Sequence, residues 1–205
     1  MTTAGPNSPS SAEHIVDTAP DWVDPTNVLS SNDTYATTVA DFQGVSDYLA
    51  AYGFAMAIPA GATINGVLVE VECKAGSGTF TISASLYADA SAGTGYKGAK
   101  SSSQGTTESY AQLGGLADTW NGGLDADYCN GSNFGVRVFA DAITNGVTYY
   151  IDHIRISVAY TPAGHPAHAR WGGVPHVGSM LARVDSVMRW MRPLLRGATR
   201  APVGV

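Results

Sequence analysis

Thr63-Ile-Asn-Gly-Val-Leu-Val-Glu-Val-Glu-Cys73 decides how the rest of the chain is read. Val67, Val69, Val71 and Cys73 recur at every second position, with Leu68, Glu70 and Glu72 between them. Side chains alternate faces along an extended chain, so period two over this length predicts a half-buried strand. Residues 80–87 repeat the device, with Phe80, Ile82, Ala84 and Leu86 opposed to Thr81, Ser83 and Ser85. Residues 133–140 alternate Phe134, Val136 and Val138 against Gly135, Arg137 and Phe139. Residues 147–160 place Ile154, Ile156, Val158 and Tyr160 opposite His153, Arg155 and Ser157.

Turn clusters punctuate these runs: Asn65-Gly66, Gly76-Ser77-Gly78, Gly93-Thr94-Gly95, Gly114-Gly115, Asn121-Gly122-Gly123, Asn130-Gly131 and Asn145-Gly146. Short alternating strands separated in this way predict an all-β, antiparallel sandwich or barrel over residues 17–161. No long helical pattern intervenes, which argues against a doubly wound α/β enzyme. Residues 1–16 are rich in Ser, Thr, Pro and Gly, lack periodicity, and read as a flexible arm.

Beyond the strands the signal changes. Residues 162–178 are Pro/Gly-rich and read as a linker. In residues 179–205, Leu181, Val184, Met188, Met191 and Leu195 continue a stripe begun at Val177, with spacings of 4, 3, 4, 3 and 4. Val187, Trp190 and Leu194 widen it. This predicts an amphipathic helix, capped by Ser179 and ended or kinked at Pro193, which must bury its apolar face. Leu181, Val184, Met188, Trp190, Met191 and Leu195 are the candidate partner-binding residues. Docking onto a partner protein is favoured over self-association, because the stripe is shorter than the three or four heptads of a self-sufficient coil.

The chain has 205 residues, of which 44% are hydrophobic and 14% charged. That apolar content excludes a wholly disordered chain. No apolar run approaches the ~18 residues of a membrane span, and residues 1–14 carry neither the basic start nor the apolar stretch of a secretory signal. Net charge is −6, unevenly held. Residues 1–161 carry 5 Lys/Arg against 16 Asp/Glu, a balance of −11, and the remainder carries 6 Arg against Asp185, a balance of +5. An acidic body repels nucleic acid, so no nucleic-acid partner is expected.

Chemistry-bearing motifs are sparse. Cys73 is in phase with the buried valines and reads as a buried free thiol; with Cys129 it makes no disulfide framework. His165, His168 and His176 lie in the linker and read as solvated side chains, a metal shared by copies on a symmetry axis being the alternative. Asp118, Asp125 and Asp127 offer oxygens in one loop, eligible for calcium but equally ordinary turn residues. Glu70 and Glu72, on one strand face, read as solvated or interface residues rather than a catalytic pair. No nucleophile elbow, zinc-protease, phosphate-loop or dinucleotide signature occurs, so neither a cofactor nor catalysis is expected. Of the aromatics, Trp22, Trp120, Tyr48, Tyr52, Tyr87, Tyr96, Tyr149 and Tyr150 divide between core and, on the alternative reading, a sugar-stacking platform.

The runs Ile58-Pro-Ala-Gly-Ala-Thr-Ile-Asn-Gly-Val-Leu-Val-Glu-Val-Glu72, Asp118-Thr-Trp120, Ser132-Asn-Phe-Gly-Val136 and Tyr150-Ile-Asp-His-Ile-Arg-Ile-Ser-Val-Ala-Tyr160 resemble a jelly-roll-like β-sandwich module of tailed-bacteriophage virion proteins. The resemblance covers about residues 20–161 and carries no catalytic residue. It implies a virion structural protein, a capsid decoration (cement) or a neck or fibre component, made in the bacterial host cytoplasm. Other virion proteins are then the expected partners, in a homo-oligomer such as a trimer. A carbohydrate-binding adhesin module of a tail fibre or surface protein, with a host glycan as ligand, is the alternative.

Overall fold

The structure is a computed structural model and describes residues 1–16, 19–40 and 44–164. The strands are β1 (Thr2–Asn7), β2 (Ser11–Ile15), β3 (Ala36–Val39), β4 (Tyr48–Tyr52), β5 (Thr63–Ala75), β6 (Phe80–Tyr87), β7 (Ala99–Gln104), β8 (Ser109–Gly115), β9 (Gly135–Asp141) and β10 (Thr148–Thr161). Among the described residues one short α-helix, α1 (Ala126–Asn130), and one 3-10 turn, Pro25–Val28, interrupt them. The strands form two five-stranded antiparallel sheets. Sheet A runs β1-β10-β5-β8, with β3 also on β10, and sheet B runs β2-β4-β9-β6-β7. The described strands fall within one compact unit, Met1–Ala163. No described helix is long and apolar enough to cross a membrane.

The alternation read along the sequence becomes the inner lining. Val67, Val69, Val71 and Cys73 of β5 are fully buried with Ile154, Ile156 and Val158 of β10. Opposite them lie Ile82 and Leu86 of β6, Val136 and Val138 of β9, and Leu49 of β4. Cross-strand register sets this lining, because Val71 faces Ile154 and Val69 faces Ile156 directly. In β10 the register shifts between Ile151 and His153. Asp152 is the extra residue, and the bulge lets both Ile151 and Ile154 point into the core.

Two loops are nailed down by tryptophans. Trp120 is fully buried and donates its indole N–H to the Val67 carbonyl at 2.8 Å. Trp22 does the same with the Asp47 carbonyl at 2.8 Å. The Trp120 slot depends on Gly114, where an added Cβ would stand 2.6 Å from the indole nitrogen.

The N-terminal expectation is corrected. Residues 1–16 are not an arm: β1 pairs with β10 and β2 pairs with β4, so the sandwich begins at Thr2 and not at residue 17. Their apolar alternation is weak because β1 contributes backbone hydrogen bonds more than side-chain burial. Its Gly5 lies against the Ile156 carbonyl, leaving 2.4 Å to where a Cβ would be, at φ +92. The expected amphipathic helix and tail of residues 179–205, the stripe Leu181, Val184, Met188, Trp190, Met191 and Leu195, and the linker histidines lie outside the described residues.

Candidate functional site

The outer face of sheet B is built from the register of five strands. Glu13, Ala50, Arg137, Ser85 and Ala99 form one row across β2, β4, β9, β6 and β7. The row beside it runs Ser11, Tyr52, Gly135 and Tyr87. On the other side Tyr48 meets Phe139 edge-on, ring centres 5.3 Å apart, and Ser83 and Ser101 continue the row. Small residues thus form a floor between partly exposed rings. Ser83 and Ser85 are buried, while Tyr48, Tyr52, Tyr87 and Phe139 stay half-buried. Gly135 keeps the gap between Tyr52 and Tyr87 bare, since a Cβ there would stand 2.1 Å from the Ala51 carbonyl oxygen.

Polar groups on this face are fixed in place. Arg137 donates to the Ala90 carbonyl at 2.6 Å and the Ser91 carbonyl at 2.7 Å, and its guanidinium lies 5.3 Å from the Tyr87 ring centre. Tyr96, which is exposed, stacks obliquely on Tyr87 at 5.6 Å. Burial raises the Tyr52 phenol above its ordinary value, and the neighbouring Glu13 carboxylate adds to the rise. Held rings, hydroxyls, one carboxylate and one guanidinium are what an uncharged polyhydroxylated ligand needs. Ring faces take the C–H side of a sugar, and the polar groups take its hydroxyls.

The outer face of sheet A carries a connected polar network. Glu70 and Arg155 face each other in register and make a two-pronged ion pair at 2.9 and 3.0 Å. Arg155 lies 3.9 Å from the Tyr110 ring centre. Tyr110 Oη is 2.9 Å from His153 Nδ1, and Ser8 Oγ is 2.8 Å from His153 Nε2. Lys74 bonds Glu108 and the Tyr35 hydroxyl, each at 2.8 Å. Glu70 is therefore corrected from a solvated residue to a buried, paired one, 8% exposed. Its partner Arg155 is 85 positions away in the chain, so spacing along the sequence held no trace of it.

Of the loop carboxylates considered for calcium, Asp118 and Asp125 are engaged within the fold, and Asp127 is exposed in the first turn of α1. Asp118 pairs with Lys100 at 2.7 Å and accepts from the Trp120 backbone N–H at 2.9 Å. The bond to Lys100 holds its carboxyl below the usual range; burial opposes this, and the Trp120 backbone bond adds to the fall. Asp125 caps α1 by accepting from the Tyr128 N–H at 2.7 Å. Among the described residues, the side chains that converge are His14 with Asp21 and Asp47, and Asp33 with Glu108 and Asp152. Sequence spacing missed both sets, because each joins a strand residue to residues of separate segments. Cys73 and Cys129 are buried free thiols, each pushed up to about 12 chiefly by burial. Of the singled-out aromatics, Trp22, Trp120 and Tyr149 belong to the core, Tyr48, Tyr52, Tyr87 and Tyr96 cluster on sheet B, and Tyr150 packs on Tyr35 at 5.4 Å.

No family model matches the chain. No curated protein matches it either. Among solved structures, an exo-beta-agarase is similar at 12% identity and a TM-score of 0.39, over 91% of this chain and 30% of that one. The chain spans about a third of that enzyme's length, and a likeness at this level fixes neither fold family nor activity.

Proposed function

We propose that the sandwich is a non-catalytic carbohydrate-binding module whose ligand lies across the outer face of sheet B. The observation that carries this reading is the pair of half-exposed tyrosines, Tyr52 and Tyr87, flanking the bare Gly135, with Arg137 and Ser85 in the next row. Tyrosine faces supply stacking area at low entropic cost, and a shallow polar floor orients hydroxyls without demanding charge on the ligand. The test is retention of the full chain in gels containing neutral polysaccharides. Retardation that drops at least ~10-fold in Tyr52→Ala and Tyr87→Ala, without release of reducing ends, is expected. Absence of retardation with the unaltered chain, or unchanged retardation in both variants, overturns it.

A second reading rests on the strand and turn motifs quoted above, which resemble those of jelly-roll-like modules in tailed-phage virions. On that reading the chain is a capsid decoration or neck or fibre component, anchored through Leu181, Val184, Met188 and Met191 and their neighbours. The two readings are compatible in an adhesin, where one segment anchors and the sandwich binds. Loss of residues 174–205 separates them, because it removes the anchor and leaves the sheet face intact.

A further inference from the structure

We propose that His14, Asp21 and Asp47 form a binding site for a divalent transition metal of the zinc type, which ties β2, the edge strand of sheet B, to the rest of the sandwich. His14 Nε2 lies 2.9 Å from Asp47 Oδ2 and 3.6 Å from Asp21 Oδ1, and one ligand atom from each residue falls within 4.8 Å of the others. Tetrahedral ligands at roughly 2.0–2.2 Å from a zinc ion stand about 3.2–3.6 Å apart. The two separations from His14 Nε2, 2.9 and 3.6 Å, already lie close to that range, and side-chain adjustment would bring the two carboxylates into one coordination face. Imidazole nitrogen with two carboxylate oxygens suits zinc and its neighbours, whereas calcium and magnesium prefer oxygen alone.

The surroundings match what such a site requires. Asp47 is 1% exposed, and its second oxygen, Oδ1, accepts from the Ala19 N–H at 2.9 Å. Its backbone carbonyl accepts from the Trp22 indole at 2.8 Å. Both contacts orient the carboxylate and leave Oδ2 aimed at His14. Asp21 is 71% exposed, which gives an ion an entry path and a solvent-filled fourth position. The ion would bridge β2, the segment at Asp21 and the entry to β4, and so lock the edge strand of sheet B.

The experiment titrates zinc, and separately cobalt(II), into the full chain after chelator treatment, with calorimetry, the visible cobalt bands and the thermal midpoint as readouts. One equivalent bound through this site, with tetrahedral cobalt bands and a midpoint that climbs with metal concentration, is expected. His14→Ala and the surface variant Asp21→Asn should each weaken that binding by more than the ~10–100-fold cost of an outer-shell loss, and Asp21→Asn, which leaves the His14–Asp47 contact in place, should keep the midpoint in chelator within a few degrees. Binding that survives both variants belongs to other groups, such as His165, His168 and His176, and overturns the assignment. So does the absence of stoichiometric binding by the unaltered chain.

Discussion

His153 shows how position rather than residue type decides chemistry. It sits on the outer face of β10, yet is 7% exposed, between Ser8 of the N-terminal segment and Tyr110 of β8. Burial lowers the imidazole below its ordinary 6.5, Glu72 pulls the other way, and Arg155 adds to the fall. The native state therefore takes up this proton less readily than the unfolded chain. Above the unfolded value both states are neutral and no penalty exists. As pH falls below about 6.5 the unfolded state gains the proton first, so stability declines until the lowered native value is passed. Urea unfolding in chelator between pH 7.5 and 5 should show this decline, and His153→Gln should flatten it. Carboxylates such as Asp118, with an ordinary value of 3.8 that is lowered further, act only at more acid pH and do not blur the window. An unchanged slope in His153→Gln would sink the assignment. In the same network, Glu70 shows why a period-two pattern misleads on a sheet's outer face. The pattern places Glu70 away from the core, but only the register with Arg155 makes it a buried ion pair.

At the scale of elements, β1 and β2 carry the main lesson. Thr2–Asn7 reads Thr-Thr-Ala-Gly-Pro-Asn, with no apolar repeat to mark a strand. It is a strand because β10 is fourteen residues long and offers one edge to two partners, β3 near Thr148–Ile151 and β1 near Ile156–Tyr160. An edge left open would be a template for unwanted pairing, and β1 covers it. Gly5 is the point of closest approach, both in left-handed backbone and against the Ile156 carbonyl. Gly5→Ala should cost roughly 1–3 kcal/mol, read as a lower urea midpoint. Gly105→Ala is the control, since nothing lies within 4 Å of a Cβ there and its backbone is not left-handed. Equal midpoints for the two variants would show that β1 contributes no stability. Sheet B presents the converse: β6 and β9 were legible as alternating runs and β4 was not, and their outer aromatics meet only once Tyr87, Gly135 and Tyr52 align.

For the whole molecule, the described core draws on both sheets within the unit Met1–Ala163, with Val67 and Ile156 from one and Ile82 and Val136 from the other. A chain ending at residue 163 should keep one cooperative unfolding transition and the near-ultraviolet signal of buried Trp22 and Trp120. On the virion reading it should fail to join particles, whereas full occupancy without residues 174–205 would remove the anchor from that reading. By itself the sequence determined the all-β class, the inward residues of β5, β6, β9 and β10 and the buried thiol of Cys73, because each depends on a two-residue repeat that local geometry imposes. Only the tertiary structure decided that residues 2–15 join the sheets, that Glu70 pairs with Arg155, and that His14, Asp21 and Asp47 converge. Those depend on which strands lie side by side, and strand order is fixed by closing one shared core, a constraint that no local stretch of residues contains.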